Sequence, residues 1–396
     1  MAGQIPGLDN FQILNMKTTG LYIHIPFCRA KCIYCDFFST RCKTADWEAF
    51  ADSIVNEMNE RAGELTGVPD TVYMGGGTPS LIPTGEFIRV CDALRRIWGT
   101  DAGRREFTLE VNPEDVGSDI CRVWKDCGVN RVSMGVQSFV DDELRKVGRV
   151  HDASRAKDAF YILRSIFDNI SIDLMFGLPG QTLDSWRKSV DEALALAPEH
   201  ISAYSLMFEP HTAISVLRDT GRLTFPREDD SLRMWEYLTE TLSSHGYRRY
   251  EISNYSLPGF ESVHNSSYWK GYPYLGVGPS AHSYDGADIR RSNPSQIKEY
   301  IGRFRSLASA RHPFYEEERL NTEQMMEEMI MLRLRMREGI DMDEFSRRFG
   351  SREARKVWDN ARPYAENGML DLSRSHIALT ERSIMVSDDI ILSLCL

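Results

Sequence analysis

Residues 21–35 read LYIHIPFCRAKCIYC, an apolar run followed at once by three closely spaced cysteines. The run has the length and the β-branched content of a buried strand. The C-x3-C-x2-C spacing puts Cys28, Cys32 and Cys35 on one loop, and thiolates are soft ligands that suit iron–sulfur clusters and zinc. Three thiolates can hold three irons of a cubane cluster and leave the fourth iron open. The alternatives are a zinc site with a distant fourth ligand, or thiols without a shared role.

The pattern of a short apolar run followed by an amphipathic stretch recurs through the first half of the chain. We predict six strands, at residues 21–26, 71–74, 106–111, 130–136, 170–176 and 200–208, and five intervening helices, at residues 44–62, 85–98, 115–128, 152–167 and 183–197. Strands that alternate with helices form parallel sheets. Six units are fewer than the eight of a closed barrel, which usually needs ~250 residues, so we predict an α/β fold with an incomplete (β/α)6 TIM-like barrel.

Polar residues follow the predicted strands, at the end where such folds bind ligands. A glycine-rich turn at residues 75–79 can bring backbone N–H groups close to a ligand carboxylate. Glu110 can accept hydrogen bonds from ribose hydroxyls or an ammonium group, and Arg149 can bind a carboxylate through two nitrogen atoms. Gln137 and Asp173 belong to the next two strands. Each residue alone is better explained as a loop cap or a surface ion pair, but together they predict a ligand site.

The composition of the chain limits its compartment and partners. Its 396 residues are 42% hydrophobic and 27% charged, as in a globular protein, and the net charge of -11 disfavours general nucleic-acid binding. The first ten residues lack the features of a secretory signal, and no run of 18 apolar residues predicts a transmembrane segment. Three of the 8 cysteines are clustered rather than spread as in a disulfide framework. We therefore predict a cytoplasmic protein with reduced thiols that binds no nucleic acid.

The second half of the chain follows a different pattern. The alternation weakens after residue 210, where we predict a helix at 228–245 and a strand at 248–255. From residue 321 a methionine-rich helix, two further helices and a small hairpin are similar to a winged helix. We predict four segments: an N-terminal extension (1–20), the barrel (21–210), an α+β extension that closes the barrel (211–318) and a winged-helix-like domain (319–396).

The three cysteines and the Gly-Gly-Gly-Thr-Pro turn together resemble the radical S-adenosylmethionine (SAM) superfamily. Segments 22–28, 110–113, 133–138 and 172–179 resemble its oxygen-independent coproporphyrinogen III oxidase group, from about residue 21 to the C-terminus. The resemblance implies that Cys28, Cys32 and Cys35 ligate a [4Fe–4S] cluster whose open iron is chelated by SAM. It also implies SAM contacts by a set of residues at the strand ends: Tyr22, Tyr34, Gly76, Gly77, Thr78, Glu110, Gln137, Arg149 and Asp173.

Two departures separate the chain from the oxidase. The oxidase has a fourth cysteine where this chain has Phe37, and a longer segment before its cluster loop than the 27 residues found here. Both departures are similar to the heme chaperone branch, HemW, which also carries an H-N-x-x-Y-W motif. In this chain the motif is formed by His264, Asn265, Tyr268 and Trp269. An imidazole can ligate heme iron and aromatic rings can pack on a porphyrin, while the alternative is that His264 and Trp269 close the open side of the barrel.

The resemblance therefore implies a heme chaperone that binds the cluster, SAM and heme, and delivers heme to respiratory hemoproteins. One alternative is the oxidase reaction itself, the radical decarboxylation of coproporphyrinogen III to protoporphyrinogen IX in porphyrin biosynthesis. Another is a different radical SAM reaction on a tetrapyrrole, such as methyl transfer with ring opening. No catalytic residue is assigned at this point. Peripheral membrane association, and the choice between a monomer and a cluster-dependent homodimer, also stay open.

Overall fold

A twelve-stranded sheet forms the centre of this computed structural model, which describes residues 19–42, 46–305, 313–373 and 375–395. All but the last two residues of the predicted N-terminal extension, and the predicted helix start at residue 44, lie outside the described residues. The strands are β1 (Gly20–Ile25), β2 (Phe27–Cys28), β3 (Thr40–Arg41), β4 (Thr71–Gly76), β5 (Glu106–Val111), β6 (Arg131–Gln137), β7 (Ile170–Phe176), β8 (His200–Ser205), β9 (Arg248–Arg249), β10 (Asn254–Ser256), β11 (Tyr274–Val277), β12 (His282–Tyr284), β13 (Ile289–Ser292), β14 (Glu316–Arg319), β15 (Ile340–Asp341), β16 (Leu370–Asp371) and β17 (His376–Leu379).

Helices lie between these strands and after them. They are α1 (Trp47–Arg61), α2 (Thr84–Trp98), α3 (Ser118–Asp126), α4 (Asp141–Lys146), α5 (Ala153–Arg164), α6 (Leu183–Leu196), α7 (Ala213–Asp219), α8 (Glu228–Ser244), α9 (Val263–Trp269), α10 (Ile297–Phe304), α11 (Thr322–Arg335), α12 (Met342–Phe349), α13 (Ser351–Glu366) and α14 (Ser387–Leu394). Capping boxes begin two of them, at Thr182 before α6 and at Asn321 before α11. No described helix is both long enough and apolar enough to cross a membrane.

The sheet is open, with strand order β14-β13-β12-β11-β1-β4-β5-β6-β7-β8-β10-β9. Strands β1 and β4 to β8 are parallel neighbours, and β11 is also parallel to β1, while the outer strands pair antiparallel. The six predicted strands and the five helices between them are therefore confirmed, with ends that differ by a few residues. The predicted α/β fold is confirmed as six consecutive parallel strands with intervening helices.

Side chains alternate strictly between the two faces of the parallel strands. One face is apolar, and residues such as Ile23 and Met74 pack with helix residues such as Ile54 in a single core. The other face is polar, and its residues align across neighbouring strands, so that Tyr22 lies opposite Tyr73. Parallel sheets usually bury apolar side chains on both faces, so a polar inner face is a feature that the site can use.

One prediction made for the chain after β8 is wrong. A single strand was predicted at residues 248–255, but the structure has two short antiparallel strands, β9 and β10, with Tyr255 opposite Arg249. The chain reverses because the Glu251 carboxylate accepts hydrogen bonds from the Ser253 N–H at 2.8 Å and from Asn254 Nδ2 at 2.6 Å. Beyond it, helices α11 to α14 and a three-stranded sheet, β15-β17-β16, form the C-terminal helical domain.

Candidate functional site

The three cysteines lie on a loop at the carboxyl ends of β1 and β2. Cys28 ends β2 and is buried, whereas Cys32 and Cys35 are half-buried, and none of the three forms a disulfide. The loop is anchored on two sides at Ile33, whose N–H donates to the Val147 carbonyl at 3.3 Å and whose carbonyl accepts from the Ile214 N–H at 3.0 Å. The thiols are thus held near the end of the sheet where ligands bind in such folds.

The donor set of this loop fits an iron–sulfur cluster. Burial raises the pKa of the Cys28 and Cys35 thiols, so cluster ligation would release protons from them. Among the described residues, no group of three His, Cys, Asp or Glu side chains lies close enough together to hold a single metal ion. A cubane cluster attaches each thiolate to a different iron, so its sulfur ligands surround a volume rather than a point. Cys28, Cys32 and Cys35 remain the predicted cluster ligands.

Arg149 connects this loop to two strand ends. Its Nη1 lies 3.6 Å from the Cys32 sulfur, and its Nη2 donates to Asn112 Oδ1 at 2.8 Å and to the Gly135 carbonyl. Asn112 Nδ2 in turn donates to Thr78 Oγ1 at 3.1 Å. The buried Arg149 Nε has no partner among the described residues, which leaves one donor for a ligand. Asn112 was not singled out from the sequence, although its place just after β5 was the available signal.

The glycine-rich turn packs against the protein itself. A Cβ on Gly76, where φ is 106°, would overlap the His24 ring, and a Cβ on Gly77 would lie 2.7 Å from the Ile25 carbonyl oxygen. The N–H groups of Gly76, Gly77 and Thr78 donate respectively to Glu110 at 3.1 Å, to Ile25 at 2.8 Å and to Phe27 at 2.8 Å. These three N–H groups are therefore bonded within the protein, to β5, β1 and β2 respectively, and the SAM contacts of Gly76, Gly77 and Thr78 stay a prediction.

Glu110 lies half-buried in the polar face, beside this turn. Its carboxylate accepts hydrogen bonds from the Tyr73 hydroxyl at 2.7 Å and from the Gly76 N–H. Burial raises the pKa of Glu110 to about 7, against the opposing effect of the Tyr73 hydroxyl. On β1, two strands away from β5, the Tyr22 hydroxyl is 2.9 Å from His24 Nδ1, and His24 Nε2 is 2.9 Å from the Phe38 carbonyl. Tyr22 therefore reaches the end of the cysteine loop through a neutral imidazole.

Gln137, Asp173 and Tyr34 complete the predicted SAM set. Gln137 ends β6 with a φ of 73° at a bulge against β7, and its buried Oε1 has no hydrogen-bond partner among the described residues. A strained backbone with an unpartnered acceptor is typical of a ligand contact. The Asp173 carboxylate accepts from Ser133 Oγ at 3.1 Å, and burial raises its pKa. Tyr34 packs beside the small apolar cluster that includes Val147.

The His264 motif forms helix α9, and its side chains are held within the protein. The Glu106 carboxylate accepts hydrogen bonds from the N–H groups of Val263 at 2.7 Å and His264 at 3.0 Å, which satisfies the helix amino terminus. His264 Nδ1 is 2.8 Å from Thr71 Oγ1, and its Nε2 is 2.7 Å from the Tyr268 hydroxyl. Burial lowers the pKa of His264 to about 3, so the imidazole is neutral and both of its nitrogens are occupied.

This motif lies at the opposite end of the sheet from the cysteines. Thr71 and Glu106, which hold His264, are the first residues of β4 and β5, and a six-residue strand spans about 16 Å. Tyr73 connects the two ends, since its ring stacks on that of His264 with centroids 5.1 Å apart and its hydroxyl reaches Glu110. The structure therefore brings the SAM candidates together but leaves the heme candidates, including half-buried Asn265, as a separate group.

Comparisons with known proteins identify the family and the fold of the chain. A family model for the radical SAM superfamily matches residues 22–193, and one for the HemN C-terminal domain matches residues 320–386. The structure of coproporphyrinogen III oxidase (HemN) from Escherichia coli covers 98% of this chain and 93% of its own, with a TM-score of 0.80 and 21% sequence identity. That likeness confirms the fold.

Two curated relatives are closer in sequence. Heme chaperone HemW from Bacillus subtilis (strain 168) is 36% identical over 372 residues, which are 93% of this chain and 97% of that protein. The mitochondrial radical S-adenosyl methionine domain-containing protein 1 of Danio rerio is 32% identical over 81% of this chain and 73% of that protein. The chain therefore belongs to the HemW family of the radical SAM superfamily.

Proposed function

We propose that this protein is a heme chaperone that carries a [4Fe–4S] cluster and SAM, binds heme and delivers it to respiratory hemoproteins. The observation that carries the proposal is the 36% identity, over 93% of the chain, to a protein named heme chaperone HemW. The exposed side chain of Phe37 supports it, because the oxidase has a cysteine at this position and Phe37 offers no metal ligand. An oxygen-sensitive cluster is consistent with the reducing cytoplasm, which we propose as the compartment.

The predicted cluster and SAM residues would have the following roles. Cys28, Cys32 and Cys35 would hold the cluster, which when bound supplies an electron to SAM. Arg149 would bind a SAM carboxylate with its unpartnered nitrogen, and the unpartnered Gln137 oxygen would accept a hydrogen bond from SAM. Two further groups of SAM-contacting residues would complete the site. They are the carboxylates of Glu110 and Asp173, which suit ribose hydroxyls or an ammonium group, and the surrounding residues Tyr22, Tyr34, Gly76, Gly77 and Thr78.

Anaerobic reconstitution followed by two assays tests the proposal. Titration with heme should show saturable binding by the cluster-loaded protein, and mixing with an apo-hemoprotein of a respiratory complex should transfer that heme. Incubation with coproporphyrinogen III, SAM and reductant should yield no protoporphyrinogen. Absence of saturable heme binding would contradict the chaperone proposal. Formation of protoporphyrinogen would favour the oxidase alternative. A methylated, ring-opened tetrapyrrole would favour a different radical SAM reaction on a tetrapyrrole.

A further inference from the structure

A cavity lies between the end of α9 and the methionine-rich helix α11. Its volume is about 90 Å³. The sheet side is aromatic, with Tyr268 and Trp269 from the His264 motif and Tyr284 from β12, and the helix side carries the thioethers of Met325 and Met329. Aromatic rings and thioethers are the groups that pack against a macrocycle and ligate heme iron. The cavity thus joins two sequence features, the motif and the methionine-rich helix, that the SAM site does not use.

Three guanidinium groups line this cavity, and that of Arg333 is paired with Glu344 at 3.1 Å. Arg290 Nη2 pairs with Glu328 at 3.0 Å, but its buried Nε has no partner among the described residues. The exposed Arg348 donates to the Ala287 carbonyl at 3.3 Å, contacts the Tyr284 hydroxyl and lies 4.0 Å from the Met325 sulfur. The unpartnered Arg290 Nε and the cationic Arg348 suit a ligand that brings carboxylates.

The indole of Trp269 adds a second unpartnered buried donor to the cavity. Its Nε1 is buried without a hydrogen-bond partner among the described residues. The Arg335 guanidinium lies over the same ring, 4.8 Å from its centroid, and keeps the indole in place. By contrast, both nitrogens of His264 are already bonded to Thr71 and Tyr268, and His264 does not line the cavity. The metal donors that face the cavity from α11 are thioethers rather than an imidazole.

We propose that this cavity is the tetrapyrrole site, with a thioether of Met325 or Met329 as iron ligand and with Arg290 and Arg348 binding the peripheral carboxylates. His264 is then a positioning residue that holds Tyr268. This proposal rests on the proposed function and specifies its heme site. Ligand pockets usually measure ~300–1,000 Å³, so loading requires α11 to move away from α9. The contacts that must then change include the Arg290–Glu328 ion pair, the Arg335–Trp269 contact and the packing of α11 in the hydrophobic core through Met329, Ile330 and Leu334.

The test is a heme titration of the cluster-loaded full chain and its variants. The double variant Met325→Leu/Met329→Leu should weaken heme binding at least tenfold and remove the absorption signature of thioether-ligated iron, while the affinity for iron-free protoporphyrin IX stays unchanged. Met331→Leu is the matched control, since Met331 is 42% exposed and lies outside the cavity. Leu332→Trp, which fills the cavity, should weaken the binding of both porphyrins. SAM cleavage and thermal melting confirm that each variant is folded.

The arginines and the histidine have their own readouts. Arg290→Gln and Arg348→Gln should weaken heme several-fold but leave heme dimethyl ester, which lacks free carboxylates, unchanged. His264→Gln should keep the absorption signature of thioether-ligated iron. The cavity proposal is wrong, and the chaperone proposal stands, in either of two cases. In the first, wild type binds heme and the methionine and Leu332→Trp variants bind it equally well. In the second, His264→Gln alone loses that absorption. If wild type binds no heme, the proposed function itself fails.

Discussion

The glycine-rich turn allows a quantitative test of why its residues are glycines. In the Gly77→Ala variant, the new Cβ would lie 2.7 to 2.9 Å from three backbone atoms, the Ile25 and Phe27 carbonyl oxygens and the Phe27 nitrogen. Backbone cannot move aside as a flexible side chain can, so β1 and β4 must separate. Because Phe27 directly precedes Cys28, the displacement would also reach the cysteine loop.

The magnitude follows from two contributions. Overpacking in a well-packed region costs about 1–3 kcal/mol. The Gly77 N–H to Ile25 and Thr78 N–H to Phe27 hydrogen bonds, both 2.8 Å long, would lengthen, at about 0.5–1.5 kcal/mol for each bond that is lost. We therefore expect Gly77→Ala to lower the free energy of unfolding by about 2–6 kcal/mol if both bonds are lost, and to reduce the iron content after reconstitution.

Urea unfolding of the apo chain at constant pH measures the first effect, and iron and sulfide analysis measures the second. Gly85→Ala is the matched control, because no atom lies within 4 Å of its added Cβ and Gly85 lies in the first turn of α2. The control should unfold like wild type or be more stable by up to about 1 kcal/mol. If Gly77→Ala unfolds within about 0.5 kcal/mol of wild type, a loss too small for the close contacts described, the steric reasoning is refuted.

Three further predictions concern the cysteine loop and the polar face. Cys32→Ser should abolish the brown absorbance after reconstitution, because a hydroxyl is a poor ligand for iron–sulfur clusters. The control variant Cys42→Ser should retain this absorbance. An unchanged Cys32→Ser spectrum would refute the ligand assignment. Tyr73→Phe removes a donor that lowers the pKa of Glu110, so SAM binding measured by calorimetry should weaken several-fold at pH 7 and recover at pH 8.5; a pH-independent loss would contradict this. The pKa of Glu110 is raised to about 7 in the folded chain, so its ionisation destabilises the fold as pH rises from about 4.5 through 7. Glu110→Gln should therefore stabilise the apo chain by about 1–3 kcal/mol at pH 8 but not at pH 4. Equal stabilisation at both pH values would exclude the carboxylate as the cause.

Local patterns predict most of the parallel sheet and the ligand end of its strands. The strands were found because apolar runs alternate with amphipathic helices, and the polar residues at their carboxyl ends do lie together. What the sequence could not predict depends on contacts between distant residues. Glu106 caps α9 across 157 residues, and Thr71 binds His264 across 193 residues, so only the folded chain shows which strand end receives the motif. The internal hydrogen bonds of the glycine-rich turn were not foreseen for the same reason, since their partners belong to other strands.

The position of Tyr73 between the two ends of the sheet has a thermodynamic consequence. Its ring contacts His264 at the amino end and its hydroxyl donates to Glu110 at the carboxyl end. A displacement of this side chain would therefore change contacts at both ends of the sheet. Binding equilibria that share such an element obey reciprocity: the factor by which SAM changes the heme affinity equals the factor by which heme changes the SAM affinity. If heme and SAM bind as proposed, heme binding would change the affinity of the SAM site. A SAM titration with and without heme, and a heme titration with and without SAM, must then give the same factor.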